Sequence, residues 1–444
     1  MKQLRIKDNS QIRKAEFSEV ASLVCKIADK TLEQLEREGV FVFPQIIDDA
    51  EDLTKDQMIL QSVNDSYRSA NVMGFIGYGN ERLIIQSRFC SNDNDFFFQY
   101  LLDRVLDYPN IVDLATDADQ DNRLFNLLLF LFPYYLRTAA RKGVFKMYVR
   151  NEYNDCKVNG TIDVARHINR NTPFTGAVAY NKREYSYDNY LMELVRHTIE
   201  FIKRKPYGNN LLIKVKDEVK LVVGATPGYE HFDMRKIVAE NKQTTIRHSY
   251  YREYRALQHL CLLILQHQKH QIGSGVSKIY GILFDGAWLW EEYINLLIDD
   301  LFYHPMNKGG RGAQRLFAGN TGLIYPDFIS RQCEINIIAD AKYKPINNIG
   351  NKDYLQLLAY MFRFDAQKGF YFYPETGETT EHQLWMKKGS TYENNVETRN
   401  DVCVTKLGLR IPNCTNTYVD FVGRMNAYER EFRTTLEAHA CKGL

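Results

Sequence analysis

Long apolar runs are missing from this 444-residue chain. No stretch of about eighteen apolar residues occurs, which is the length a membrane-spanning helix needs, so no span is expected. The longest candidate, LFNLLLFLFPYYL from Leu124 to Leu136, is too short, contains Pro133 and reads as a buried helix. The opening MKQLRIKDNSQIRK is polar and lacks the apolar centre of a secretory signal. The eight cysteines, Cys25, Cys90, Cys156, Cys261, Cys333, Cys403, Cys414 and Cys441, are scattered, with no two at the close spacing of a zinc site or a thioredoxin-like redox motif. Reduced thiols in a cytoplasmic protein are expected. Proline is scarce, at 11 residues, which argues against long disordered linkers. An excess of one charge is absent as well. Lys and Arg number 57 against 55 Asp and Glu, a net +2, so any grip on a polyanion has to come from local clusters. Repeats and low-complexity tracts are lacking.

What is present is an ordinary globular composition, 45% apolar and 25% charged, with 29 Tyr and 25 Phe. The length suits two or three domains, each able to bury a core. Apolar residues fall at helical spacing from Val20 to Glu38, and VFVFPQII then reads as extended. VMGFIGYGNERLIIQSRF reads as a hairpin, two β-rich runs around the turn GYGNE. A helix-rich region follows, including FFFQYLLDRVL, a helix from Tyr187 to Arg204 stopped by Pro206, and one from Tyr251 to Gln266. A domain boundary is expected between Gly176 and Lys216. It divides the chain into an N-terminal mixed α+β domain, residues 1–180, and a C-terminal part, residues 181–444. Past Gly281 come the helix AWLWEEYINLLIDDLF, the Gly-rich basic loop NKGGRGAQRLFAGN, two strands GLIYPDFIS and CEINIIADAKY, the helix DYLQLLAYMFRF and the strand GFYFYP. That order describes an α/β core at about 281–385, a central mixed sheet flanked by helices.

The chemistry is concentrated in this core. Along a strand from Cys333 to Tyr343, side chains alternate between faces. Cys333, Ile335, Ile337, Ala339, Ala341 and Tyr343 form one, a core face, while Glu334, Asn336, Ile338, Asp340, Lys342 and then Lys344 form the other, expected to be polar. Asp327 follows Pro326 on the preceding strand, so strand pairing lets Asp327 and Asp340 converge. Two carboxylates beside a lysine suit hydrolysis of a phosphodiester. A hard cation such as Mg²⁺ needs only one or two carboxylates and keeps several waters; it polarises the phosphoryl group and acidifies a water, while Lys342 neutralises developing charge. A solvated strand end with a surface salt bridge is the plainer alternative.

Pro326-Asp327, twelve intervening residues, then Asp340-Ala341-Lys342 resembles the PD-(D/E)xK nuclease motif, and Gln356 and Tyr360 on the next helix match the QxxxY arrangement of several such nucleases. The likeness reaches further. From Gly160 to Ile202, Gly160 with Ile162-Asp163, Asn171-Thr172-Pro173-Phe174, Arg183-Glu184-Tyr185, Tyr187-Asp188-Asn189 and Arg196-His197-Thr198 are similar to a stretch of McrC-type proteins, as are LWEEY and DAKYKP. The chain therefore resembles the McrC-like (McrBC- or LlaJI-type) subunits of GTP-driven, modification-dependent restriction systems over about half its length. This resemblance implies a DNA endonuclease with a PD-(D/E)xK domain, catalytic Asp327, Asp340, Lys342, Gln356 and Tyr360, and Mg²⁺, with Mn²⁺ as substitute, on Asp327, Asp340 and Glu291. Glu291 in LWEEY is otherwise an exposed helix carboxylate. The resemblance further implies a partner hexamer, an McrB-like AAA+ GTPase, which alone uses GTP and on which residues 1 to about 180 dock.

Weaker signals surround these. Lys308, Arg311 and Arg315, in the loop before the catalytic strands, are candidates for the DNA backbone. Arg247, Arg252 and Arg255 interleave with Tyr250, Tyr251 and Tyr254, which serves nucleic-acid contact or a solvated helix face. His197, among Leu194, Val195 and Ile199, reads as structural. Two other functions stay open: a stand-alone nuclease, and a non-enzymatic DNA-binding adaptor.

Overall fold

The run around GYGNE folds back on itself as its composition dictates. Val72–Tyr78 and Glu81–Gln86 pair antiparallel, and Gly79, at φ 58°, takes the left-handed turn. The structure, a computed structural model, describes residues 2–38, 40–43, 56–90, 95–105, 120–205, 208–244, 246, 249–270, 279–305, 314–319, 321–331, 336–378, 381–389, 396–413 and 415–441. Its chain divides into two compact units, Met1–Ala118 with Val276–Leu444, and an inserted Asp119–Gly275. The boundary expected at residue 180 falls inside the strand Val178–Ser186 of the inserted unit.

In the first unit the hairpin seeds a five-stranded sheet. Lys2–Lys7 adds parallel to Glu81–Gln86. Ile279–Asp285 lies on the other side, antiparallel to Val72–Tyr78 and parallel to Val40–Phe43. This return strand ties the discontinuous unit together. It approaches so closely that a Cβ on Gly74, whose φ is 137°, would sit 2.1 Å from the Ile282 carbonyl oxygen, so only glycine fits there. The helical stretch from Val20 to Glu38 is two helices, Ala21–Ile27 and Leu32–Glu38, broken where Asp29 takes φ 58°.

A second, six-stranded mixed sheet follows in the order Phe302–Tyr303, Phe328–Ser330, Ile337–Ala341, Lys368–Glu375, Val396–Arg410, Glu381–Gly389. Ile337–Ala341 and Lys368–Glu375 run parallel, joined through the helix Asn351–Arg363. Alternation along Lys368–Glu375 sends Tyr371 and Tyr373 to one face and Phe370 and Phe372 to the other. Tyr371 and Tyr373 bury with Ile338, Leu357, Tyr360 and Met361 under that crossover helix. On the opposite side Phe372 meets Phe432 of the helix Tyr418–Cys441, and its carbonyl accepts from Trp290 Nε1 at 3.0 Å. Trp290 belongs to Gly286–Ile298, which is apolar nearly all round and therefore buried. Helices on both faces make this the mixed α/β layering expected for the C-terminal part.

The inserted unit packs Gln120–Ala140, Tyr190–Lys203, Met234–Gln243 and Arg252–His270 on one another, with Pro133 inside the first of them. Beside them Val178–Ser186 pairs antiparallel with Met147–Asp155 and Thr161–Ile162, strands that the helix-rich reading of this region missed. Asn189 explains its own run. Its Oδ1 caps Tyr190–Lys203 by accepting from the Met192 N–H, while Nδ2 donates to the carbonyls of Phe145, Ser186 and Tyr187. His197 is buried against Tyr229, and burial holds its pKa at about 4, so it is neutral and structural as expected. Among the described residues Cys25, Cys90, Cys156, Cys261 and Cys403 are unbridged, and no helix is long and apolar enough to cross a membrane.

Candidate active site

Sheet pairing does what the spacing of the motif requires. Phe328–Ser330 pairs antiparallel with Ile337–Ala341, placing Phe328 beside Ala339, and Asp327 at the strand's entry turns its Oδ2 onto the Ala341 N–H at 2.8 Å. Asp340 and Asp327 thus meet. Lys342 Nζ lies 2.6 Å from Asp340 Oδ2 and donates to Gln356 Oε1 at 3.3 Å; Gln356 Nε2 in turn donates to the Tyr360 hydroxyl at 2.8 Å. One turn apart on the crossover helix, Gln356 and Tyr360 act from a single helix face.

The expected polar strand face is corrected. Residues 332–335 lie outside the described residues, and the strand proper is Ile337–Ala341. Ile338 is fully buried and Asp340 is 2% exposed, because the crossover helix covers that face. Asp340 is therefore a buried carboxylate paired with a cation rather than a solvated strand end.

Electrostatics follow from this crowding. Burial, then the charges of Asp340 and Glu291, push Asp327 well above the usual carboxylate range against the opposing Lys342 charge and Ala341 N–H. Burial works against the Lys342 charge, but Asp340 and Asp327 outweigh it and raise the ammonium pKa further, so Lys342 stays protonated at neutral pH. Burial pushes the Tyr360 hydroxyl up to about 12. Glu291, 8% exposed, joins the group from Gly286–Ile298 rather than standing in solvent beside Glu292.

Two contributors were not read from the sequence. His304 Nδ1 donates to the Asp327 carbonyl at 2.7 Å, and its Nε2 is 3.6 Å from Glu291 Oε1. Burial would lower its pKa, but Glu292, Glu291 and the Asp327 carbonyl together raise it. No motif surrounds it in FYHP. Asp353, at the start of the crossover helix, takes both hydrogen bonds of Lys344 at 2.7 and 2.8 Å; burial would raise its pKa, yet Lys344 and the Gly350 N–H hold it low. Lys344 is thereby spent on Asp353, leaving Lys342 as the cation of the site. The Lys342 backbone is itself held, its N–H on the Phe372 carbonyl at 2.8 Å, and the next residue, Tyr343, shares a 2.7 Å hydrogen bond with Ser87 of the loop that follows the first sheet's hairpin.

By donor type the carboxylates of Asp327, Asp340 and Glu291 suit a hard divalent cation, which prefers oxygen ligands. Among the described residues no three His, Cys, Asp or Glu side chains are gathered closely enough to hold a metal ion, so these carboxylates are not drawn into a ligand set in this structure. Of the expected DNA-contact residues, Lys308 and Arg311 lie outside the described residues. Arg315 sits on the short strand Gln314–Arg315, its carbonyl accepting from Arg363 Nε of the crossover helix at 2.7 Å. The arginine–tyrosine interleaving does not form one face: Tyr254 is buried on the Gly143 carbonyl, Tyr251 packs on Phe145, and Arg247 lies outside the described residues.

The raised Asp327 pKa has a stability consequence without metal. A carboxyl that binds its proton more tightly when folded than at its unfolded value near 3.8 stabilises the fold at low pH and loses that contribution as pH climbs through the folded value. Asp327→Asn mimics the protonated form at every pH. The melting temperature of the metal-free variant is thus expected to gain on wild type steadily as pH rises from about 4 towards neutrality; parallel curves would refute the shift.

The profile of the family described as McrBC 5-methylcytosine restriction system component matches residues 67–374. No curated protein matches the chain. Among solved structures, a chain of the refined half-complex from the tetradecameric assembly of Thermococcus gammatolerans McrB AAA+ hexamers with bound McrC matches at TM-score 0.50 and 13% identity, covering 98% of this chain and 100% of that one. At that identity the likeness is one of fold. A cryo-EM structure of the Thermococcus gammatolerans McrBC complex matches at TM-score 0.30 and 15% identity, over 69% of this chain and 90% of that one, too low to bear on the fold.

Proposed function

Because the chain belongs to the McrBC 5-methylcytosine restriction system component family, we propose that it is the Mg²⁺-dependent DNA endonuclease subunit of a GTP-driven restriction complex, built on a PD-(D/E)xK fold. The observation that carries the reading is the convergence of Asp327, Asp340 and Lys342 with the Gln356–Tyr360 pair behind them. Asp327 and Asp340, with Glu291, would hold the cation. Bound there, it would polarise the scissile phosphate and lower the pKa of a water.

The rest follows from the chain's own groups. Lys342, beside Asp340 and within reach of Gln356, would donate hydrogen bonds and stabilise charge that develops on the phosphate. Gln356 fixes the ammonium and Tyr360 fixes Gln356, so the cation needs no reorganisation when the charge appears. The partner in this reading is an AAA+ GTPase hexamer, the role in which the McrC of Thermococcus gammatolerans is seen bound to McrB AAA+ hexamers.

Metal binding tests the reading without needing turnover. Mn²⁺ titrated into the isolated chain and followed by electron paramagnetic resonance should bind to wild type and to Lys342→Ala, and at least about tenfold more weakly to Asp340→Asn. Equal Mn²⁺ affinity in Asp340→Asn and wild type would remove the metal assignment. In cleavage assays Mg²⁺ or Mn²⁺ should support cutting, and Ca²⁺ should not.

A further inference from the structure

The near-neutral charge of the whole chain conceals a division. Residues 119–275, the inserted unit, hold 25 Lys and Arg against 15 Asp and Glu, a net +10, while the remaining residues hold 32 against 40, a net −8. Within the inserted unit one sheet face concentrates this charge. In the antiparallel pair Met147–Asp155 and Val178–Ser186, Tyr148 lies opposite Tyr185 and Arg150 opposite Arg183, and all four side chains are exposed.

Like charges directly opposite each other weaken strand pairing. Among the described residues neither arginine forms an ion pair. Glu152 is taken by Arg166, Glu184 by Lys182 at 2.6 Å on the other face, and Asp163, which senses Arg150, caps its own helix. Arg183 and the neighbouring Lys146 rest on rings instead. The Arg183 guanidinium lies 4.8 Å over Tyr148, the Lys146 ammonium 4.0 Å over Tyr187 and 5.6 Å over Tyr185, and the Tyr148 and Tyr185 rings are 5.0 Å apart. Tyr148, Tyr185 and Tyr187 are 58%, 53% and 45% exposed. Cations placed over aromatic faces keep their full charge towards solvent, so the face offers uncompensated positive charge interleaved with flat apolar surface.

We propose that this face binds a DNA strand, with Arg150, Arg183 and Lys146 on its phosphates and the tyrosines against exposed bases. An acidic protein segment would satisfy the charge but would not use the exposed ring surface, against which a base stacks. The proposal rests on the reading of the chain as a DNA-acting subunit, yet it involves none of the nuclease residues, so the two fail separately.

The test is fluorescence anisotropy of the full chain with a labelled single-stranded 30-mer in EDTA, where cutting plays no part. Affinity should fall steeply with salt. Arg150→Glu with Arg183→Glu should weaken binding at least about tenfold at low salt and reduce the salt slope by about 1.4 for two lost single-strand phosphate contacts. Arg150→Gln with Arg183→Gln, a gentler change, should move both in the same direction. Tyr148→Ala with Tyr185→Ala should weaken binding and leave the salt slope unchanged, which separates stacking from charge. Unchanged affinity in the folded glutamine pair overturns the proposal. So does binding of duplex without single strand, and so does displacement of the oligonucleotide by equal charge of polyglutamate, which would put an acidic protein segment on the face.

Discussion

Asp340→Asn is expected to lower DNA cleavage by roughly 10³-fold or more while GTP turnover by the partnered complex stays as it was. In the proposed mechanism several kcal/mol of transition-state stabilisation would depend on a metal held at this carboxylate, and each 1.36 kcal/mol is about one decade. Asparagine is the informative change because of burial. Asp340 is 2% exposed and 2.6 Å from Lys342, so alanine would strand a buried ammonium without its nearest partner, a type of loss that costs about 3–5 kcal/mol and would confuse misfolding with lost chemistry. Asparagine keeps the shape and one hydrogen bond to Lys342 but surrenders the charge that a cation needs. Plasmid cleavage, GTP hydrolysis and thermal melting are measured on the same preparation. Cleavage that survives in a folded, GTP-competent variant removes Asp340 from the site, and Asp327→Asn should behave alike.

The motif was legible because it is local. Asp340 near the end of its strand and Lys342 just past it are two residues apart, and Gln356 and Tyr360 are four apart on one helix, so periodicity alone brings each pair to one face. The hairpin at Gly79 and the helix through Trp290 were readable for the same reason. Burial of the Asp340 face was not, since it depends on the crossover helix closing over Ile338, and a strand covered on both faces loses the alternation that marks a half-solvated one. His304 and Asp353 join the site through contacts that span 13 or more residues to Glu291 and pair with Lys344 across a turn, without a spacing that marks them. The return strand Ile279–Asp285 is the largest omission. Its partners, Val40–Phe43 and Val72–Tyr78, lie about two hundred residues earlier, and nothing in the local composition announces that the chain leaves one sheet, builds the unit Asp119–Gly275 and comes back.

That return also decides how dependence on a partner has to be tested. The chain alone is expected to cut plasmid at least about 100-fold more slowly than the chain mixed with an McrB-like AAA+ GTPase and GTP, a gap of the size that tethering to DNA provides. No GxxxxGK[ST] phosphate-binding loop occurs in the sequence, and in the proposed reading nucleotide acts through the partner. The residues outside 119–275, which include every candidate catalytic group, carry a net −8 and are repelled by the phosphates they would cleave; the net +10 of the inserted unit gives a foothold on a strand but no engine to deliver it. Docking should in turn raise GTP turnover roughly tenfold or more, as groups that stabilise the phosphoryl-transfer transition state are positioned. A fragment starting at Tyr187 is not a clean control. It would remove Val40–Phe43 and Val72–Tyr78 and strand Ile279–Asp285 with neither neighbour, so lost activity would report lost folding. The full chain is the reagent: GTP hydrolysis is followed with and without it, and plasmid cleavage with and without GTP. If it neither raises GTP turnover nor co-purifies with the GTPase, and cuts plasmid efficiently by itself, then the stand-alone nuclease replaces the restriction subunit while the Asp327–Asp340–Lys342 assignment stands.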